Sequence, residues 1–236
     1  MTTAPTDRTP SDRTPTDRTV VRRLAERGVY EREVIDAIFD EAIVCHVGFV
    51  VDGKPVVIPT IHARHGDTLY LHGSPASRML RSMRAGEEIC VTVTLVDGVV
   101  LARAPFHSSL NYRSVVLFGE PRLVEDPEEK RLAFEVLTEH IAPGRWDDSR
   151  LPNPKEEKGT LVAAVPIDEV SAKVRTGPPK DDEEDYDLPI WAGVIPLGIR
   201  AGAPEPDPRL HPGIEAPDYI SGYRRPTSEH SPSGPA

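Results

Sequence analysis

Lys54 to Arg84 reads KPVVIPTIHARHGDTLYLHGSPASRMLRSMR and concentrates the side chains that could do chemistry. Imidazole, hydroxyl and guanidinium groups alternate there with apolar residues at the period of a β-strand. Taking His65-Gly66-Asp67 as a three-residue hairpin loop sets Arg64 opposite Thr68, His62 opposite Tyr70 and Thr60 opposite His72. One face then carries Thr60, His62, Arg64, Tyr70 and His72, and the other Pro59, Ile61, Ala63, Leu69 and Leu71. A two-residue loop would mix these sets, which a half-buried sheet resists, so the expectation is a polar wall. Ser74 then reads as a helix N-cap with Pro75 in the first helical position. The first turn has no acidic residue, and Arg78, Arg81 and Arg84 follow. Free backbone N–H groups, the positive end of the helix dipole and the two-pronged Arg78 guanidinium together make a phosphate seat.

Other chemistries find less support. His62, His65 and His72 lack the cysteine or carboxylate that would complete a metal set, so no metal is expected. No Walker loop, Gly-x-Ser-x-Gly or Gly-x-Gly-x-x-Gly is present. Ser108-Ser109 beside His107 reads as loop chemistry. Cys45 and Cys90 lie in apolar strand patterns and read as small buried residues.

The elements that must position these groups are mostly strands. Glu31 to Ala42 has helical spacing, with Val34, Ile35, Ile38 and Phe39 apolar. Strands follow over Ile43 to Val51, Val56 to Arg64 and Thr68 to Gly73, the first two joined at the turn signal Asp52-Gly53. Glu88 to Leu95 and Val99 to Ala102 flank Asp97-Gly98, a turn or bulge; Asn111 to Val124 is long and β-rich. Asp126-Pro127-Glu128-Glu129 marks a helix start in which Glu129 completes a capping box, and Pro143-Gly144 stops that helix. Thr160 to Val165 and Ser171 to Arg175 are strands around a break at Pro166. Consecutive strands with tight turns mean an antiparallel sheet, and six or more tend to close into a barrel. Thr176 to Asp187 is an acidic surface loop, and Leu188 to Pro196 returns as a short apolar segment that needs a surface to pack on.

Of the 236 residues, 25 are proline, and aromatic residues make up 6%, a composition that leaves part of the chain outside any core. TDRTP, SDRTP and TDRT repeat across Thr6 to Thr19, so residues 1–19 read as a disordered tail without a secretory core. Residues 201–236 are Pro-rich and polar and read the same way, which leaves one domain over 20–200. No apolar run approaches the ~18 residues that span a bilayer. The net charge of −10, part of it in Asp181 to Asp185, excludes the basic footprint of a nucleic-acid binder. The expected location is cytoplasmic.

In their order and spacing, VVIPTIHARHGDTLYLHGSPASRML, NYRSVVLFGEP and PIWAGVIP resemble the split β-barrel flavoproteins of the pyridoxamine 5′-phosphate oxidase family, closest to its flavin-nucleotide-binding or nitroimidazole-resistance-like branch. The resemblance implies a mainly β fold: a six-stranded antiparallel split barrel with flanking helices, a homodimer with FMN at the subunit interface. The family's first flavin strand falls on Ile58, Pro59, Thr60, Ile61 and His62, and its short flavin-contacting pair on Leu71 and His72. Its phosphate motif falls on Ser77, Arg78 and Met79, with Met79 in place of a lysine. A later polar contact falls on Tyr112, Arg113 and Ser114, and the family's Trp-x-Gly on Trp191-Ala192-Gly193, with the Trp reaching the flavin across the dimer. The true oxidase follows Trp-x-Gly with Arg and His groups that hold the vitamin; here Val194 to Ile199 stands instead, which argues against pyridoxine phosphate. The implied function is a flavin-dependent oxidoreductase acting on a small molecule, with His72 as proton donor. The alternatives are a non-catalytic flavin or haem binder and a deazaflavin-dependent reductase.

Overall fold

The computed structural model describes residues 14–225. Ten strands and five helices follow in chain order: β1 Gly28–Val29, α1 Arg32–Glu41, β2 Val44–Val51, β3 Lys54–His65, β4 Thr68–Gly73, α2 Arg78–Arg84, β5 Ile89–Leu101, β6 Ser109–Gly119, β7 Arg122–Leu123, α3 Pro127–Ile141, α4 Pro154–Gly159, β8 Leu161–Pro166, β9 Glu169–Arg175, β10 Gly193–Pro196 and α5 Asp218–Ser221. All pairings are antiparallel, in the order β1-β9-β6-β5-β2-β3-β4-β8-β7, with β10 added to β5. The fold is thus the expected split-barrel type, but with ten strands, and the ladder from β1 to β7 does not close.

Alternation along β2, β5 and β6 sends Cys45, Val47, Phe49, Val91, Val93, Val115 and Leu117 into the main core, where Ile35, Ile38 and Phe39 of α1 plug one end. A second core, of Ala63, Tyr70, Val162 and Ala164, lies under Ala133 and Leu137 of α3. Asp126 caps α3, its carboxylate accepting from the Glu129 N–H at 3.1 Å. Glu129 does not complete the box; its own carboxylate accepts from Tyr70 and Arg122, which pins α3 to the sheet.

The β2–β3 turn has Asp52 and Gly53 both at positive φ, 50° and 71°, as a type I′ hairpin requires. The β3–β4 turn departs from expectation. Arg64 pairs with Leu69 and His65 with Thr68, so the loop is the two residues Gly66-Asp67, with Gly66 at φ 57°. That register mixes the polar and apolar sets, and no polar wall forms. The sheet tolerates the mixing because both faces are covered: Leu69 and Leu71 belong to the main core, Ala63 and Tyr70 to the core under α3.

Both supposed tails are partly ordered. Thr16 bonds to Glu169 and Arg18 to Glu88, so the domain edge lies before Val20; residues 1–13 and 226–236 lie outside the described residues. At the other end, Tyr219 of α5 donates to Asp148 in the turns after α3, and Tyr223, just past α5, donates to the Ile141 carbonyl at the end of α3. Arg225 then donates to the carbonyls of Asp40, Glu41 and His140. His62 and His140 cap the neighbouring carbonyls of Phe39 and Ala42. The last carbonyls of α1, left open by helix geometry, are thereby satisfied from three separate parts of the chain. No helix among the described residues is long and apolar enough to cross a membrane.

Candidate functional site

β3 changes partner in mid-strand. Residues Lys54 to Ile61 pair with β2, and His62 to His65 pair with β4. Beyond its pairing with β3, β4 continues along β8, with His72 opposite Val162 and Gly73 opposite Leu161. The strands therefore part between Ile58–Ile61 and His72–Gly73, which share no ladder pairing. This is where the sequence placed most of its cofactor contacts.

Alternation decides which way the side chains there face. Ile58 packs on the main core and Thr60 pairs with the buried Cys45, so both look inward; Pro59 is exposed on the other face, where Ile61 packs against the core under α3. Leu71 lies in the core, whereas His72 shares its face with Tyr70. His72 is half-buried, its Nδ1 is enclosed without a hydrogen-bond partner among the described residues, and burial lowers its pKa. His62 is a structural histidine: fully buried, it donates from Nε2 to the Phe39 carbonyl at 3.0 Å and lies 5.1 Å, centroid to centroid, from the ring of His140. Nε2 carries the proton because a carbonyl can only accept, and desolvation drives the pKa down to about 4.

The phosphate seat is shifted along the chain. Ser74 forms a turn, its hydroxyl accepting from the Ala76 N–H, and α2 begins three residues later than expected, with Ser77 at the N-cap. Gly73 lets the helix close on the strand: a Cβ there would meet Leu80 at 3.0 Å. Arg78 is exposed and, among the described residues, carries no ion pair. With Arg81 and Ser82 it lines a cleft of about 490 Å³ against Val50, Val51 and Asp52, and the Ser82 hydroxyl is buried without a partner among the described residues. Met79, which stands where the family has a lysine, points the other way, 3% exposed in the core. Its side chain is not available to a phosphate.

Of the later trio, Tyr112 and Ser114 face outward, and Ser114 donates to the Lys173 carbonyl at 3.3 Å. Arg113 is not a cofactor contact. It is 1% exposed and grips Asp97 at 2.7 and 2.9 Å and Glu41 at 2.5 and 2.8 Å. The signal for this network was in the sequence: Asp97 sits in a bulge between Val96 and Gly98, and a bulge re-aims a side chain. Gly98 also admits β10, since a Cβ there would strike Val194 at 3.0 Å and the Ile195 carbonyl at 3.1 Å. The Trp191 ring folds over Gly193, within 3.0 Å of where its Cβ would stand, which explains the Trp-x-Gly spacing; the ring is otherwise 67% exposed. Among the described residues no group of three or more metal-ligating side chains occurs.

Comparison with known proteins gives this geometry a context. A family model described as pyridoxamine 5′-phosphate oxidase matches residues 31–174. The structure of the flavocytochrome Anf3 from Azotobacter vinelandii superposes with a TM-score of 0.85 at 42% identity, covering 90% of this chain and 99% of that one. The FAD and heme binding protein from Mycobacterium smegmatis superposes with a TM-score of 0.80 at 37% identity, covering 83% and 96%. No curated protein sequence matches the chain.

Proposed function

The chain belongs to the pyridoxamine 5′-phosphate oxidase family, and on that premise we propose that it is a flavin- and haem-binding oxidoreductase, active as a homodimer. The observation that carries this reading is the 42% identity to a flavocytochrome over 99% of its length, joined to an exposed Arg78 at the expected phosphate position that carries no ion pair among the described residues. The flavin expected from sequence was FMN; the FAD of the mycobacterial relative favours the dinucleotide.

Arg78 would hold a flavin phosphate, with Ser77 and the first N–H groups of α2 beside it. Backbone of Ile58 to His62 would run along the ring, and His72 would stand at its edge. Flavin supplies hydride chemistry and haem one-electron and oxygen chemistry; the protein supplies orientation and exclusion of water. Val194 to Ile199 bring no charged group to the Trp-x-Gly region, so a small or apolar acceptor suits this site better than a phosphorylated vitamin.

The purified protein's visible spectrum, with extraction of the cofactors, tests the reading. Flavin bands with FAD in the extract, a haem Soret band and bleaching by NAD(P)H are expected. A colourless protein that takes up neither cofactor would overturn it.

A further inference from the structure

We infer that the cleft between α2 and the β2–β3 turn seats the adenylyl half of FAD. Arg81 and the Ser82 hydroxyl take its second phosphate, beside the first at Arg78, and so set FAD above FMN. The inference rests on the flavin part of the reading above.

Arg78, Arg81, Ser82 and Ala85 fall at helical spacing along one side of α2, and all four line the cleft. Met79, Leu80 and Met83 turn away from it and are buried in the main core. Arg78 and Arg81 are both exposed, and neither carries an ion pair among the described residues. Ser82 is 9% exposed, and its Oγ is enclosed without a partner among the described residues. A helical serine commonly returns its hydroxyl to the carbonyl one turn back; this one does not. A buried hydroxyl calls for a partner, and Ser82 stands on the wall of the cleft beside the two arginines. A phosphate oxygen in the cleft would accept its proton.

Spacing and lining select the ligand. Residues three apart on a helix stand about 5–6 Å apart at Cβ. Two guanidiniums so placed suit the bridged phosphates of one pyrophosphate, each met by a planar fork. A monophosphate is satisfied by Arg78 and leaves Arg81 and Ser82 without a ligand. Asp52 and Glu87 also line the cleft, as exposed carboxylates. They disfavour a bare anion but accept from the ribose hydroxyls and adenine amino group that an adenylyl ester brings. Val50, Val51 and Ala85 supply the apolar part of the wall. The cleft, about 490 Å³, is far larger than one phosphate requires. FMN, ending at its single phosphate, has nothing to place there.

The test titrates full-length apoprotein with FAD and with FMN, each followed by flavin fluorescence. Wild type should prefer FAD. Arg81→Ala should weaken FAD about tenfold or more, as loss of a charge-assisted contact does, and leave FMN within about twofold. Ser82→Ala should shift FAD in the same direction by a smaller factor. Arg84→Ala removes the same charge from α2 outside the cleft and should shift neither flavin. Retained FMN affinity shows that each variant is folded. Unchanged FAD affinity in Arg81→Ala would overturn the inference. So would equal losses of both flavins in that variant, an equal FAD loss in Arg84→Ala, or a wild type that binds FMN as tightly as FAD. Wild type that takes up neither flavin would remove the flavin reading itself, and this inference with it.

Discussion

Two arginines define opposite roles at the residue scale. Arg78 is exposed without an ion pair among the described residues, whereas Arg113 is buried between two carboxylates that raise its pKa. Arg78→Ala should weaken flavin binding roughly ten- to a hundredfold, the equivalent of about 1.5–3 kcal/mol for a charge-assisted contact. Titration of apoprotein with FAD and FMN, followed by flavin fluorescence, measures it; indifference would place the phosphate elsewhere. Arg113→Met should leave flavin affinity comparatively intact but strand Glu41 and Asp97 in the interior. Breaking a buried pair in this way costs about 3–5 kcal/mol, so the variant's denaturation midpoint should collapse. Residue types marked Arg78 and Arg113 alike as cofactor contacts and could not tell an exposed arginine from a buried one. That distinction depends on which side of β6 faces the barrel and on Asp97 being turned inward by a bulge. Met79 was misjudged for the same kind of reason: motif alignment supplies a position, while the helix supplies the direction.

The strands and main helices were legible as elements from periodicity and turn residues, and β4 was legible to the residue. The β3–β4 register was not, because periodicity implies one solvated face and α3 covers that face. The closing of α1 was also invisible, since its caps come from β3, α3 and the far C-terminal segment. That junction should be sensitive to acid. His62 has its folded pKa near 4, below the ordinary 6.5, and His140 is lowered as well, both chiefly by burial. The unfolded chain therefore takes up the proton first. Stability is full above pH 6.5 and falls as pH drops toward 4, by up to about 1.4 kcal/mol per pH unit for each such group. Urea midpoints between pH 7 and 4.5 should show that slope, and His62→Gln should flatten it. Equal slopes would mean that other groups govern acid unfolding. Arg225→Met removes the charged cap on Asp40, Glu41 and His140 and should lower stability by about 1.5–3 kcal/mol at neutral pH.

At the scale of the whole molecule, a single chain leaves much apolar surface in water. Val44, Val50 and Val57 are exposed on the outer face of β2 and β3, and Ile190, Trp191, Ile195 and Ile199 along the segment that carries β10. Scattered exposed residues need no explanation, but runs of them on one strand pair and one arm do. β10 reaches the sheet by only four residues, Gly193 to Pro196 on β5, and the bulge at Asp97 lets it in. The acidic loop before it is anchored, since Asp181 accepts from the N–H groups of Arg103 and Ala104. The arm is therefore held in place with its aromatic side open. A two-fold partner would cover that side and bring Trp191 toward the other chain's site, a self-complementary arrangement in which each site is finished by both subunits. Dimerisation and flavin retention should then be coupled: Trp191→Ala should raise the dimer dissociation constant and speed flavin loss together, as read by sedimentation and by fluorescence of released flavin. Gly193→Ala should act in the same direction, because its methyl group would push the indole off the position it holds. A wild-type monomer at micromolar concentration with a full flavin load would break the coupling and leave the arm as local packing on β5.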